Sequence, residues 1–185
     1  EMMRRLVGSE MCIRDSSQAK LLSLKKLFVR LEKVYLGNPE NHATDRCFAE
    51  LVRFYDMPKA LPMALLEGMQ WDAEGKMYKS LSELRSYCAR VASTVGVMMC
   101  VLMRVRDKDI LARACDLGIA MQLTNIARDV IEDEKLNRKY IDCDFEKIKD
   151  TLKLADLFYN SCFNSIREIP ISSRFAILVA RRVYR

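Results

Sequence analysis

"LGIAMQLTNIARDVIEDEKLNRKY", residues 117 to 140, carries the pattern from which the rest of the chain can be read. At about 100° per residue, a helix over this stretch gathers Gln122, Asn125, Asp129, Glu132 and Asp133 into an arc of roughly 100°. Ile119, Leu123, Ile126 and Val130 form an apolar stripe directly beside them. An ordinary surface helix sets its charged face opposite the core. Here amides and acids border the core-facing stripe, which predicts a helix over about residues 110–134 with its polar edge at the lip of an interior cavity.

Asp129 and Asp133 are like charges one turn apart, which weakens a bare helix by a few tenths of a kcal/mol. One reading is a surface network in which Arg128, Lys135 and Arg138 offset them. The other is Mg²⁺, which takes oxygen ligands, keeps several waters and is held by one or two carboxylates together with substrate phosphates. Two carboxylates a turn apart with the Asn125 amide a turn earlier meet that need, and Arg128 and Arg138 then suit phosphate oxygens. The combination points to a diphosphate substrate.

Outward from this helix the chain reads as helical throughout. "LLSLKKLFVRLEKVY" (21–35) has helical spacing and stops at Gly37 and Pro39. "CFAELVRFYDM" and "PKALPMALLEGMQWD" give two more helices, the second opened near Pro58 and closed around Gly75. "SLSELRSYCARVASTVGVMMCVLMRV" is the longest apolar-rich element, with Ser80 or Ser82 as its cap. Its small residues Ala89, Ala92, Ser93 and Gly96 permit close packing or leave a groove. Two further helices are expected, from about Phe145 to Ile169 and from Ser172 to Tyr184. With no alternating strand pattern and no internal repeat, the fold class is all-α, a helical bundle.

Composition narrows the function. Half of the 185 residues are hydrophobic, which favours a packed core over disorder. The net charge of +6 is spread without basic runs interleaved with aromatics, which argues against nucleic acid as a partner. No stretch reaches the 18 or so apolar residues of a membrane span, and no signal peptide is visible, so a cytoplasmic location is expected. The seven cysteines lack a C-x-x-C pair and have one histidine, His42, to join them. Reduced thiols are the simplest account, and any catalysis rests on carboxylates, amides, arginines and tyrosines.

"AMQLTNIARDVIEDE" followed by "NRKY" resembles the second aspartate-rich motif of the squalene and phytoene synthase family, most closely that of bacterial phytoene synthases. "LLEGMQWDAEGKMY" and "YCARVASTVGVMM" resemble two further family blocks in the expected order. The resemblance covers about residues 20 to 185. It implies an isoprenoid synthase helical bundle that joins two prenyl diphosphates head to head through a cyclopropyl intermediate, with Mg²⁺, or Mn²⁺ in its place, as cofactor. It implies Asn125, Asp129 and Asp133 as metal ligands, the two aspartates being catalytic with Tyr87 at the pocket. It sets Gln122, Arg128, Arg138 and Tyr184 on the substrate. The small-residue face would then line a prenyl tunnel, with Ser93 standing where the family usually has Gly. Glu67 and Asp72 read as supporting groups or surface carboxylates, and Met98 and Met99 as core filler.

The family also carries a first aspartate-rich motif, expected shortly before residue 21, and no Asp pair at i, i+4 stands there. "LVGSEMCIRDS" (6–16) has no apolar period, and one reverse translation of "MCIRDS" resembles a sequencing-library mosaic end. Residues 1–16 are therefore expected to be non-native and 17–185 a partial synthase domain, with little or no synthase activity by itself. After Tyr140 the chain also lacks the Leu-Pro continuation usual in relatives. Phytoene formation from geranylgeranyl diphosphate leads. Squalene or dehydrosqualene formation from farnesyl diphosphate, a non-catalytic assembly factor of the same family, and a head-to-tail prenyltransferase or cyclase are the alternatives. The basic surface and apolar product also suggest peripheral membrane contact.

Overall fold

The computed structural model describes residues 17–136, 138–162, 174, 177–179 and 182. Within them the chain is helical: α1 (Ser17–Tyr35), α2 (Ala43–Tyr55), α3 (Ala60–Ala73), α4 (Leu81–Cys88), a π-helical turn (Ala89–Ser93), α5 (Thr94–Leu102), α6 (Lys108–Arg128), α7 (Val130–Lys135) and α8 (Phe145–Cys162). Among the described residues no helix is long and apolar enough to cross a membrane. The expected helix from Ser172 to Tyr184, and the 163–169 end of the one before it, fall largely outside the described residues.

The helix ends follow local chemistry. Pro62 lies in the first turn of α3, where no intrahelical N–H partner is needed. Gly75, at φ +66°, closes α3: its N–H bonds the Asp72 carbonyl at 3.1 Å and the Lys76 N–H bonds the Trp71 carbonyl at 3.0 Å. This paired closure favours glycine at the left-handed position. Of the two serines considered for the next helix, Ser80 is the cap, accepting from the Glu83 N–H at 3.2 Å while the Glu83 carboxylate accepts from the Lys79 N–H at 2.8 Å. Asp107 caps α6 through the Asp109 and Ile110 N–H groups, at 2.9 and 3.1 Å.

α6 is the axis of the bundle. Ile119, Leu123, Ile126 and Val130, the stripe expected to face inward, are 7%, 0%, 2% and 9% exposed. Ile119, Leu123 and Ile126 pack with Leu84, Tyr87 and Cys88 of α4 and with Ala155 and Tyr159 of α8. Each such aliphatic contributes about 1.5–3 kcal/mol by leaving water. The expected continuous helix over 110–134 is interrupted at Asp129, at φ −100° and ψ 14°. The interruption is slight: the Asp129 N–H still bonds the Asn125 carbonyl and the Asp133 N–H the Asp129 carbonyl, both at 2.8 Å. Asn125, Asp129 and Asp133 therefore remain stacked one turn apart.

The small residues serve packing. A Cβ on Gly118 of α6 would lie 2.7 Å from the Cα and N of Ser93, and one on Gly96 would lie 3.1 Å from the Ala114 carbonyl oxygen. The Ser93 hydroxyl donates to the Cys115 carbonyl at 2.7 Å. Ser93 and Gly96 thus lie against the α6 backbone, and the expectation that they line a prenyl tunnel is corrected. Met99 is likewise 52% exposed and is not core filler; Val97, Cys100 and Val101 take the core positions of α5.

α1 and α2 are tied by a bidentate pair, with Arg30 Nε and Nη2 donating to Asp45 at 2.9 and 2.5 Å. The guanidinium holds the Asp45 carboxyl below its ordinary value of 3.8. A carboxylate lowered in the folded state stabilises fully above that ordinary value, and the contribution fades as pH falls through the lowered native one. Asp45→Asn is expected to cost about 1 kcal/mol at neutral pH. Urea unfolding of both proteins at about pH 7 and about pH 2 checks this, the difference between them shrinking in acid. A gap that persists unchanged in acid would count against the ion pair as its source.

Candidate active site

The polar edge of α6 and α7 begins at Gln122, which is half-buried. One turn on, Asn125 is also half-buried, but its side-chain Oδ1 is fully buried and has no hydrogen-bond partner among the described residues. A buried acceptor in that state costs about 1–3 kcal/mol. Asp129 is gripped by its own neighbour, Arg128, whose Nε and Nη2 each donate to it at 2.6 Å. That grip holds the Asp129 carboxyl below the usual carboxylate range.

Asp133 behaves oppositely. Burial pushes its carboxyl up, and Asp129, Asp72 and Glu132 add to the rise while Arg138 works against it. The Arg138 N–H bonds the Asp133 carbonyl at 2.9 Å, which fixes the start of the segment after α7. The expected site residues are thus brought to one edge, with the exception of Tyr87, which stands behind it, and Tyr184, which lies outside the described residues. Among the described residues no three His, Cys, Asp or Glu side chains converge into a metal-holding group.

Behind that edge lies a carboxylate whose part the sequence left open. Asp72, on the last turn of α3, accepts from the Tyr87 hydroxyl at 2.8 Å and from the Tyr140 hydroxyl at 2.9 Å. The two hydroxyls are 3.1 Å apart and their rings stack at 5.1 Å. Tyr78 packs on both rings, 5.3 Å from Tyr87 and 6.3 Å from Tyr140, and its own hydroxyl is buried without a partner. Burial raises the Asp72 carboxyl, the phenols and Arg138 opposing the rise. Burial and the nearby Asp72 charge push all three phenols well above their ordinary value, so they stay protonated. Tyr87, expected at the pocket, is 2% exposed and spends its hydroxyl on Asp72.

Next to this cluster, Lys76 Nζ and the Arg90 guanidinium carbon stand over the Trp71 ring, 3.3 and 4.3 Å from its centroid. Glu67 pairs with Arg90 at 3.2 Å on the surface, so of the two carboxylates left open by the sequence, Glu67 is the surface group and the half-buried Asp72 the one with internal partners. Asp72 and Tyr140 were each visible in family-like blocks, but nothing in the sequence links residues 68 positions apart.

The family described as squalene/phytoene synthase matches residues 10–144. The chain belongs to the squalene/phytoene synthase family. A phytoene synthase of Rhodobacter capsulatus is 43% identical, over 89% of this chain and 55% of that protein. One of Cereibacter sphaeroides is 43% identical, over 92% of this chain and 54% of that protein. The chain therefore spans about half the length of these relatives. A dehydrosqualene synthase structure in complex with ligand superposes with a TM-score of 0.82 at 28% identity, covering 91% of this chain and 67% of that one. The squalene synthase HpnC of Alicyclobacillus acidocaldarius, at 17% identity and a TM-score of 0.79 over 89% of this chain and 70% of that one, shares the fold.

Proposed function

We propose that the chain contributes the Asn125–Asp133 motif to a Mg²⁺-dependent prenyltransferase that condenses two geranylgeranyl diphosphates head to head into phytoene through a cyclopropyl diphosphate. The observation that carries the reading is the buried, unpartnered Asn125 Oδ1 standing one turn before two stacked carboxylates. A lone buried acceptor beside two stacked carboxylates, of which Asp129 is paired with Arg128 and Asp133 is raised by burial, suits a hard cation. Mg²⁺ needs no three-acid cage, since waters and phosphate oxygens fill its remaining positions.

When bound, the ion acts as a Lewis acid on the leaving diphosphate. Asn125, Asp129 and Asp133 would hold it, and Mn²⁺ suits the same donors. Arg138, beside Asp133, is placed to receive diphosphate oxygens, and Arg128 can do so by releasing Asp129. Gln122 and Tyr184 complete the substrate contacts in this reading. Tyr87 acts from behind the metal edge, holding its proton on Asp72. The stacked Tyr78, Tyr87 and Tyr140 rings supply an apolar surface that keeps water from a carbocation.

Phytoene is preferred to squalene or dehydrosqualene because the phytoene synthases are the relatives at 43% identity, against 28% for the dehydrosqualene synthase. Two long prenyl chains and a hydrocarbon product also suit peripheral contact with a membrane. The test is isothermal titration of the 185-residue chain with inorganic pyrophosphate, with and without Mg²⁺. Saturable binding that requires Mg²⁺ is expected. Absence of binding in both arms would sink the reading and favour a non-catalytic role for the chain.

A further inference from the structure

Tyr140 belongs to the segment between α7 and α8, which carries Arg138 and follows the helix that holds Asp133. At its start that segment is held by the Arg138 N–H on the Asp133 carbonyl. Further along, Tyr140 and Ile141 pack against the buried core, and the other contacts are local: the Lys139–Asp142 ion pair at 2.9 Å and the Asp144 N–H on the Asp142 carbonyl at 2.8 Å. The Tyr140 hydroxyl on Asp72 reaches from this segment to the bundle, across 68 residues of sequence. Asp72 is itself fixed, because the carbonyl of its own residue receives the Gly75 N–H in the turn that closes α3, and Tyr87 of the buried core grips its other oxygen.

We infer that Asp72 is a positioning residue: by accepting from Tyr140 and Tyr87 together, it sets where the 138–141 segment lies and so holds Arg138 against Asp133 at the diphosphate edge. This rests on the prenyl-diphosphate reading of that edge. A carboxylate suits the task because both its oxygens are acceptors, so two phenol protons are satisfied at once. An asparagine of the same size offers one acceptor and one donor, so one hydroxyl must turn to accept an N–H and loses the carboxylate acceptor for its own proton. The grip on the segment is then weakened without a change of volume.

The experiment uses the 185-residue chain with Asp72→Asn, and with Tyr140→Phe as a milder variant that removes a single hydroxyl should the first fail to fold. Amide hydrogen exchange without ligand is expected to quicken about tenfold over 138–141 while α6 and α8 keep their protection. Affinity for Mg²⁺-pyrophosphate is expected to fall about tenfold, the scale of losing a group that orients a metal site from outside it. Joining the two changes should add little to either alone. Unchanged exchange over 138–141 overturns the inference, as does quickening spread equally over α4, α6 and α8, which marks a plain structural brace. If the wild-type chain binds no pyrophosphate, the prenyl-diphosphate reading fails and the exchange pattern still decides whether Asp72 positions the segment.

Discussion

Gly118→Ala is expected to destabilise the chain by about 3 kcal/mol and to lower its melting temperature by roughly 6–12 °C. The added Cβ would meet the N and Cα of Ser93 at 2.7 Å and the carbonyl carbon of Ala92 at 2.8 Å. All three are backbone atoms, so no side chain can rotate out of the way. α6 must instead lift from the π-helical turn, stretching the 2.7 Å bond from Ser93 to the Cys115 carbonyl and opening the core at Ile119. Alanine's better helix propensity returns about 1 kcal/mol and does not reverse the sign. Gly96→Ala is the internal comparison. Its Cβ would lie 3.1 Å from one carbonyl oxygen, so a shift of a few tenths of an ångström suffices and the loss should be well under half as large. Thermal melts of the two variants beside the parent test the ranking, and equal stability of Gly118→Ala and the parent would show that α6 does not need this approach.

The same contact explains what sequence reading reached and what it missed. Ile119, Leu123, Ile126 and Val130 were legible because helical periodicity alone orients them, and α6 buries that stripe. Ser80 and Gly75 were legible because cap chemistry is local. The groove reading of Ser93 and Gly96 failed because a small residue looks the same whether a ligand or a neighbouring helix fills the space beside it. That choice depended on Gly118, 25 residues further along. The π-helical turn and the interruption at Asp129 were also invisible, since each changes the backbone locally without disturbing the apolar period. At the site, spacing correctly stacked Asn125, Asp129 and Asp133, because the two bridging backbone bonds survive the interruption. Asp72 needed tertiary structure. A carboxylate near the end of a helix reads as solvated until its two phenol partners arrive from α4 and from the segment after α7.

Charge at the edge is unevenly compensated, and this bears on mechanism. Asp129 has its own guanidinium, whereas Asp133 and Asp72 are both raised by burial and share Arg138 as a nearby counter-charge, with Lys20 also acting on Asp72. An arriving divalent cation would relieve Asp133 and compete with Arg128 for Asp129. In the proposed function, Asp129 would hold the ion in place of Arg128, and the freed guanidinium would suit diphosphate oxygens.

Asn125→Leu should separate stability from binding in opposite directions. In the wild-type chain the Asn125 Oδ1 is buried without a partner, a state that costs about 1–3 kcal/mol. Leucine has the same branched skeleton with bulkier methyl ends, introduces no unsatisfied group there and favours helix more than asparagine does. The variant without ligand is therefore expected to be more stable by about 1–2 kcal/mol, read as a higher urea midpoint at unchanged slope. Its affinity for Mg²⁺-pyrophosphate should fall about 100-fold or beyond detection, since loss of an inner ligand exceeds the effect of losing its supports. Asn125→Asp is the counterpart: it restores an oxygen donor but adds a third charge to Asp129 and Asp133, so binding should survive in part while the unliganded protein loses stability. A leucine variant that gains stability and still binds would show that the buried amide is not a ligand. One that loses stability would show that the amide is satisfied in solution. The predicted pairing, a sturdier protein that no longer binds, is the outcome expected when a fold keeps a costly orphaned acceptor because an ion completes it.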